Sequence, residues 1–214
     1  MVLAAVVALS LAAADAGSIS PVPEFASLQG GEPLGTGHSE LALTAGYSAL
    51  SATYAQAISD AVDAGAVLEM DWVTSEAFVG GLYRSLLWRS GATSVGWRAR
   101  AGLYGDFGAS WAIDGNRSDT GVQLAPGIAL SHRMQRGILS LAADVPFTVT
   151  MQRGGGVMLA PRAYVAFETP LWGDLLAGAR MGAGGLFAGS GAPFAANSPR
   201  ATLDFSALLT YRLF

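Results

Sequence analysis

The sequence predicts an all-β fold, an antiparallel up-and-down transmembrane β-barrel of ten strands, on three observations. Apolar residues make up 51% of the 214-residue chain, yet no stretch beyond the first fourteen residues is long and apolar enough to cross a bilayer as a helix. From Ser39 onward, apolar and polar residues alternate, and Gly, Asp, Asn and Ser clusters break the alternation about every dozen residues. Charged residues are only 13% of the chain and fall on the faces opposite the apolar ones.

The alternation is clearest in VGWRARAGLYG, where Val95, Trp97, Ala99, Ala101 and Leu103 share one face. Arg98, Arg100, Gly102 and Tyr104 share the other. The stretch TGVQLAPGIALS sets Val122, Leu124, Ile128 and Leu130 against Gln123, Gly127 and Ser131. Similar patterns place strands at 39–48, 51–59, 64–74, 76–88, 94–108, 120–134, 137–151, 157–169, 174–187 and 199–214. Residues 47–62 also carry helical spacing (Leu50, Tyr54, Ile58, Val62), and a helix there would leave eight strands. Either count is even, as a single-chain barrel with both ends in the periplasm requires. The links at 106–119 and 189–199 are long, whereas SDAVD, WRSGA, MQRG and TPLWGD are tight, the loop asymmetry of outer-membrane barrels. Pro126 and Pro161 fall inside strands, where each removes a ladder donor and points to a bulge.

Ahead of the barrel, at 39–214, two further segments are expected. Residues 1–16 read as a signal peptide, with a short apolar core and a small-x-small cleavage site at Ala14-Asp15-Ala16, although no basic residue precedes the core. Residues 17–38, with SISPVPEF and GGEPLGTG, have neither period and read as a disordered periplasmic leader.

If the apolar faces meet lipid, the charges point inward. The expected lumen network comprises Glu69, Asp71, Arg98, Arg100, Asp144, Arg162, Glu168, Arg180 and Asp204, with Arg133 and Arg212 on the same side. The two signs nearly cancel, and pairing is required to offset the cost of dehydration in a narrow barrel. In a soluble lipocalin-like barrel the same alternation would run the other way, apolar side chains inside and charges in water. Trp72, Trp88, Trp97 and Trp172 sit at strand ends on both sides, as membrane-interface aromatics do; Trp111 lies in a long loop. The polar cluster GNRSD (115–119) reads as a solvated loop and GGG (154–156) as a hairpin tip.

Several classes of function are disfavoured. The net charge of −4, without a basic block, argues against nucleic acid as a partner. With no Cys there is no disulfide, thiolate metal site or lipid anchor on Cys. The two histidines, His38 and His132, lack a spaced Ser or carboxylate partner, and no metal or nucleotide motif appears. No catalytic residue, metal ligand or cofactor is therefore expected.

The leader, the alternating strands, the loop asymmetry and the terminal Phe214 together resemble small bacterial outer-membrane β-barrels, the OmpA-like transmembrane domain being the general type. The resemblance covers about residues 39–214 and is architectural. It implies residence among outer-membrane lipid, insertion by the barrel-assembly machinery and Phe214 as the assembly signal. Fold alone does not settle function. The expectation is a non-enzymatic barrel with a largely filled, charge-paired lumen, serving envelope structure or surface interaction. The alternative is a narrow porin-like channel for small solutes, with a lipid-modifying enzyme or a soluble binder behind it. The last strand poses one further question. Leu203, Phe205, Ala207, Leu209, Tyr211 and Leu213 share a face, while Phe214 falls in phase with Arg212 and Thr210. Either a bulge shifts the phase near Arg212, or Phe214 lies past the ladder.

Overall fold

In the computed structural model, which describes residues 26–108, 118–151, 155–189, 192 and 198–214, antiparallel strands follow one another around a closed wall. They are β1 (Ser39–Gly46), β2 (Ala49–Ser59), β3 (Val62–Asp71), β4 (Glu76–Ser90), β5 (Thr93–Asp106) and β6 (Asp119–Met134). Then come β7 (Gly137–Asp144), β8 (Phe147–Thr150), β9 (Gly156–Leu159), β10 (Arg162–Trp172), β11 (Leu175–Ala188) and β12 (Arg200–Arg212). Closure is between first and last, with Glu40 opposite Arg212 and Gly46 opposite Ser206. No helix occurs among the described residues.

The barrel is ten strands around, as the alternation predicts, because two of its walls are each built from two segments. β7 and β8 both pair with β6, and β9 and β10 both pair with β11. The interruptions fall at Pro146 and Pro161, where a missing N–H removes one rung. Neighbouring amides still find acceptors. Val145 donates to the Pro126 carbonyl, Ala160 to that of Pro146 and Gly185 to that of Pro161, each at 2.9 Å. The three prolines thus form a seam across adjacent strands, and the chain passes through it without losing the alternation of faces.

Residues 47–62 are strand, not helix, so the eight-strand alternative is excluded. The reason is simple. A spacing of four keeps a residue on one side of a helix, but it also keeps it on one side of a strand, whose period is two. Leu50, Tyr54 and Ile58 accordingly all point out of the barrel.

Orientation decides what kind of barrel this is. Leu43, Leu68, Val79, Leu103, Leu124, Ile128, Met181, Leu203 and Phe205 are exposed on the outside, while Asp63, Arg84, Asp144 and Glu168 are buried within. That is the inverse of a soluble lipocalin-like barrel, in which the apolar face is the interior. The outward row of β5 runs from Trp97 to Phe107, the residue just past the strand; ten steps of about 3.4 Å on a strand tilted by about 40° span about 26 Å. This matches the apolar band of a membrane barrel.

One end of the barrel has only two-residue turns (60–61, 91–92, 135–136 and 173–174). At the other end the links are 47–48, 72–75, 107–118, 151–155 and 189–199. Of GGG at 154–156, Gly155 lies in the link before β9 and Gly156 begins that strand, while GNRSD at 115–119 lies largely outside the described residues, as do Trp111 and residues 1–25.

A side chain at Gly127, on β6, would place its Cβ 2.6 Å from the Ala143 carbonyl oxygen and 2.8 Å from the Asp144 Cβ. Gly127→Val is therefore expected to lower stability by about 1–3 kcal/mol, read as a lower urea midpoint with loss of the heat-modifiable gel shift. At Gly81, whose nearest neighbour would be the Gly65 carbonyl at 3.7 Å, Gly81→Ala should change it by no more than about 0.5 kcal/mol.

Candidate functional site

The lumen is the candidate site, and strand register assembles it. Inward positions of consecutive strands line up as Asp63 (β3), Arg84 (β4), Arg98 (β5), Gly127 (β6), Asp144 (β7) and Arg162 (β10), each paired with the next. Gly127 has no side chain, so Arg98 reaches past it. Arg98 Nη2 donates to Asp144 Oδ2 at 2.6 Å, and Arg162 Nε donates to Asp144 Oδ1 at 2.6 Å. A fully buried carboxylate is thereby shared by two guanidinium groups from strands on either side of it. Arg84 meets Asp63 at 2.5 Å in the same row.

Above this row lies a cavity of about 230 Å³. Arg100 Nη1 donates to Glu69 Oε2 at 2.8 Å, with Arg162 Nη1 3.7 Å from the other oxygen. Arg180 Nε donates to Asp204 Oδ2 at 2.9 Å. Tyr164 carries two guanidinium groups, Arg98 at 4.9 Å and Arg180 at 5.3 Å from the ring centroid, and Arg100 lies 5.6 Å from that of Phe78. Such contacts hold each planar group by its face and leave its N–H edge free to point into the cavity.

At the long-loop mouth a second row contains only acids. Asp71, Glu76, Asp106 and Asp119 occupy directly paired positions on β3 to β6. Like charges so placed repel, and each acid accepts from nearby donors. Asp71 takes the amides of Val73 and Thr74 at 2.8 and 2.9 Å, so it caps a turn and stands apart from the arginines. Glu76 accepts from the Thr74 and Tyr104 hydroxyls, both at 2.5 Å. Asp106 and Asp119 accept from the amides of Gly108 and Thr120.

The tight end is filled by the chain itself. Residues 26–34, expected within a disordered leader, run inside the barrel; Ala26, Ser27, Leu28, Gln29, Glu32 and Leu34 are buried. Leu28 and Leu34 join Ala42, Ala55, Val67, Phe78 and Leu82, inward apolar residues of β1 to β4. The Ser27 hydroxyl donates to Glu168, whose other oxygen accepts from Thr210 Oγ1 at 2.8 Å. Arg84 donates to the Ser27 carbonyl at 2.8 Å, and the Leu34 amide donates to Asp63 at 3.1 Å. Glu32 accepts from Arg133 Nε and Nη2 at 2.7 and 2.9 Å, with Arg89 at 3.2 Å. A Cβ on Gly31 would lie 2.1 Å from the Ala129 carbonyl oxygen, and one on Gly30 would lie 1.8 Å from Ser131 Oγ. Only glycines let this backbone lie so close to the wall. Pro- and Gly-rich composition, read as disorder, here serves a segment ordered by the wall around it.

Of the predicted network, Glu69, Arg98, Arg100, Asp144, Arg162, Arg180 and Asp204 come together around the cavity; Glu168 sits lower, against the plug, and Asp71 sits at the mouth. Glu32, Glu40, Asp63 and Arg84 are additional buried charges. Alternation carries a signal for two of them. Asp63 is in phase with Glu69, and Arg84 is in phase with Phe78 and Leu82. Glu40 is fully buried, 3.8 Å from Arg212.

The aromatic residues and histidines fall at the ends. Trp72 is exposed near the long-loop end and donates to the Tyr47 carbonyl at 2.5 Å. Trp88 and Trp172 are exposed near the tight end, and Trp97 packs against Tyr83 with ring centroids 5.1 Å apart and planes tilted by 44°. Phe214 lies past the ladder; no register shift interrupts β12, and Phe214 is 82% exposed with its carbonyl accepting from the Ser39 amide at 3.3 Å. His38 Nδ1 is 3.1 Å from that same carbonyl oxygen, and His132 Nδ1 is 2.8 Å from Thr93 Oγ1. No group of three or more His, Cys, Asp or Glu suited to a metal occurs among the described residues.

No protein-family model and no curated protein matches the chain. Among solved structures it is similar to a loop L8 deletion mutant of OmpT, an outer membrane protein of Vibrio cholerae. The two share 7% identity over 82% of this chain and 97% of that one, with a TM-score of 0.32.

Asp144→Asn would leave the buried guanidinium of Arg98 and the partly exposed one of Arg162 short of a charge and is expected to cost about 3–5 kcal/mol; Asp204→Asn, in a pair open to the cavity, should cost about 1 kcal/mol or less. Urea unfolding of the refolded barrel measures both. At the tight end Asp60 accepts from the Thr36 hydroxyl and amide, which hold its carboxyl below the usual range. A depressed carboxylate pKa stabilises above its unfolded value and stops doing so as pH falls through its folded one. Protection of the Thr36 amide, measured as its exchange relative to the intrinsic rate at the same pH, should therefore fall on acidification through that window, and Asp60→Asn should remove this dependence.

Proposed function

We propose that this chain is an integral bacterial outer-membrane β-barrel closed by its own N-terminal segment, serving envelope structure or surface interaction without catalysis. The observation that carries the reading is residues 26–34, buried inside the wall and held by Glu32 on Arg133 and Arg89, Ser27 on Glu168, and Leu34 on Asp63. The exposed apolar band, the tryptophans near its two ends and the two-residue turns at one end support the membrane setting. In this reading the tight end faces the periplasm, outer-membrane lipid covers the band, and the barrel-assembly machinery inserts the chain, with Phe214 at the end of the closing strand.

A segment that fills a lumen with ion pairs and apolar contacts blocks ion flow until it leaves. Its removal would expose Val67, Phe78 and Leu82 to water, so the closed state is favoured by burial as well as by charge. The narrow solute channel is the competing reading, and conductance separates the two.

Refolded full-length chain should be electrically silent in planar bilayers. The Gly30→Val/Gly31→Val double variant, whose side chains cannot fit against Ser131 and Ala129, should show stable openings while keeping the heat-modifiable gel shift. Stable wild-type openings that change when Arg98 or Arg162 is neutralised would overturn the plugged reading. Recovery of the chain in a detergent-free soluble fraction would overturn the membrane assignment.

A further inference from the structure

At the waist of the cavity above the plug the arginines have more charge and more hydrogen-bond donors than the carboxylates they meet, while Asp71, Glu76 and Arg200 line the same cavity nearer its mouth. Arg98, Arg100, Arg162 and Arg180 share three carboxylates, Asp144, Glu69 and Asp204. A guanidinium has five N–H donors. Among the described residues, Arg98 donates to Asp144 alone and Arg100 to Glu69 alone. The spare donors are not sealed in the wall, since none of these four side chains has a buried nitrogen without a partner. They face the cavity.

From this geometry we infer that the waist of the cavity is a binding site for a small soluble ligand bearing a carboxylate, phosphate or sulfonate group. The floor is preformed, with Leu28 and Gln29 of the plug lining it. The arginines are held in place before any ligand arrives. Arg98 and Arg180 rest on Tyr164 and Arg100 on Phe78, and each has one edge pinned by a carboxylate. Binding thus requires little ordering of long side chains, the main entropic cost of an arginine site. An oxyanion would also supply the missing negative charge, within a barrel whose apolar outer band weakens dielectric screening.

The acids at the mouth do not fill this role. Asp71 and Glu76 accept from groups of the 72–75 turn and Tyr104, and Asp106 and Asp119 from amides beside them. They do, however, repel a multiply charged ligand, so the site suits one compact anionic group. The cavity reaches Arg200 and Thr202 at the start of β12, which places its entrance at the long-loop end, away from the apolar band. The ligand therefore comes from water rather than from lipid.

The site depends on the plugged-barrel reading only for its floor, and its test is separate from conductance. Refolded full-length chain in detergent is titrated with inorganic phosphate, and separately with acetate, at constant ionic strength, by calorimetry and thermal unfolding. Saturable binding is expected with a dissociation constant of about millimolar, and the unfolding temperature should rise with ligand. Arg100→Gln should weaken binding at least about tenfold, whereas Arg136→Gln, in a tight-end turn, should bind as the wild type does. If Arg100→Gln fails to fold, Arg180→Gln takes its place. A wild type that responds to neither anion, or an Arg100→Gln variant that binds as tightly as wild type, would overturn the inference. Binding seen only with an anionic phospholipid in the micelles would overturn the soluble source. Wild-type conductance with phosphate binding retained would overturn the plug and leave the site standing.

Discussion

Asp144 connects the inside of this barrel. Its two oxygens take Arg98 from β5 and Arg162 from β10, so one carboxylate ties together the wall on both sides of β6 and β7. A charge this deeply buried, inside a shell with an apolar exterior, is tolerable only when its lone pairs are filled. The surrounding sequence follows from that requirement. Position 127, which lies between Arg98 and Asp144 in the register, carries no side chain. Tyr164 supports the guanidinium of Arg98 from one side and that of Arg180 from another. Around the same cavity, Glu69 repeats the arrangement with Arg100 and, more loosely, Arg162.

The same physical constraint explains why the N-terminal segment lies in the lumen. Inward positions of β1 to β4 are not uniformly polar. Ala42, Ala55, Val67, Phe78 and Leu82 form an apolar patch inside the wall. Water in contact with that patch is unfavourable, and Leu28 and Leu34 cover it. The charges at this level are complementary as well. Arg133 and Arg89 meet Glu32, a carboxylate the wall does not supply, while Asp63 and Glu168 receive donors from Leu34 and Ser27. Wall and segment are built for each other, which makes the plug part of the fold.

The alternation of faces was legible in the sequence almost residue by residue, because a strand has a period of two and each face meets a different solvent. That is why the strands, and the shared face of Arg98 and Arg100 opposite Trp97 and Leu103, follow from pattern alone. Of the two prolines expected to disturb the ladder, Pro161 marks an interruption, whereas β6 runs through Pro126 in unbroken register and the second interruption falls at Pro146. Other features left a misleading trace. The Gly-Gly at 30–31 belongs to the stretch that reads as a disordered leader, and nothing local distinguishes a glycine needed for mobility from one needed for close approach. Asp63 falls within the tight link SDAVD, and Arg84 follows two apolar inward residues, so only the partner of each reveals its place in the charge network.

The sequence by itself determined that each strand has one apolar and one polar face; the tertiary structure decided that the apolar one lies outside. Local periodicity is enough for the first, since neighbouring residues on one strand encode it. Which charges meet was decided only by tertiary structure. Arg98 and Asp144 are 46 residues apart, and Ser27 and Glu168 are separated by 141. Their contacts depend on strand register, on tilt around a closed wall and on a segment folding back into the lumen. Those are properties of closure, and no single strand contains them.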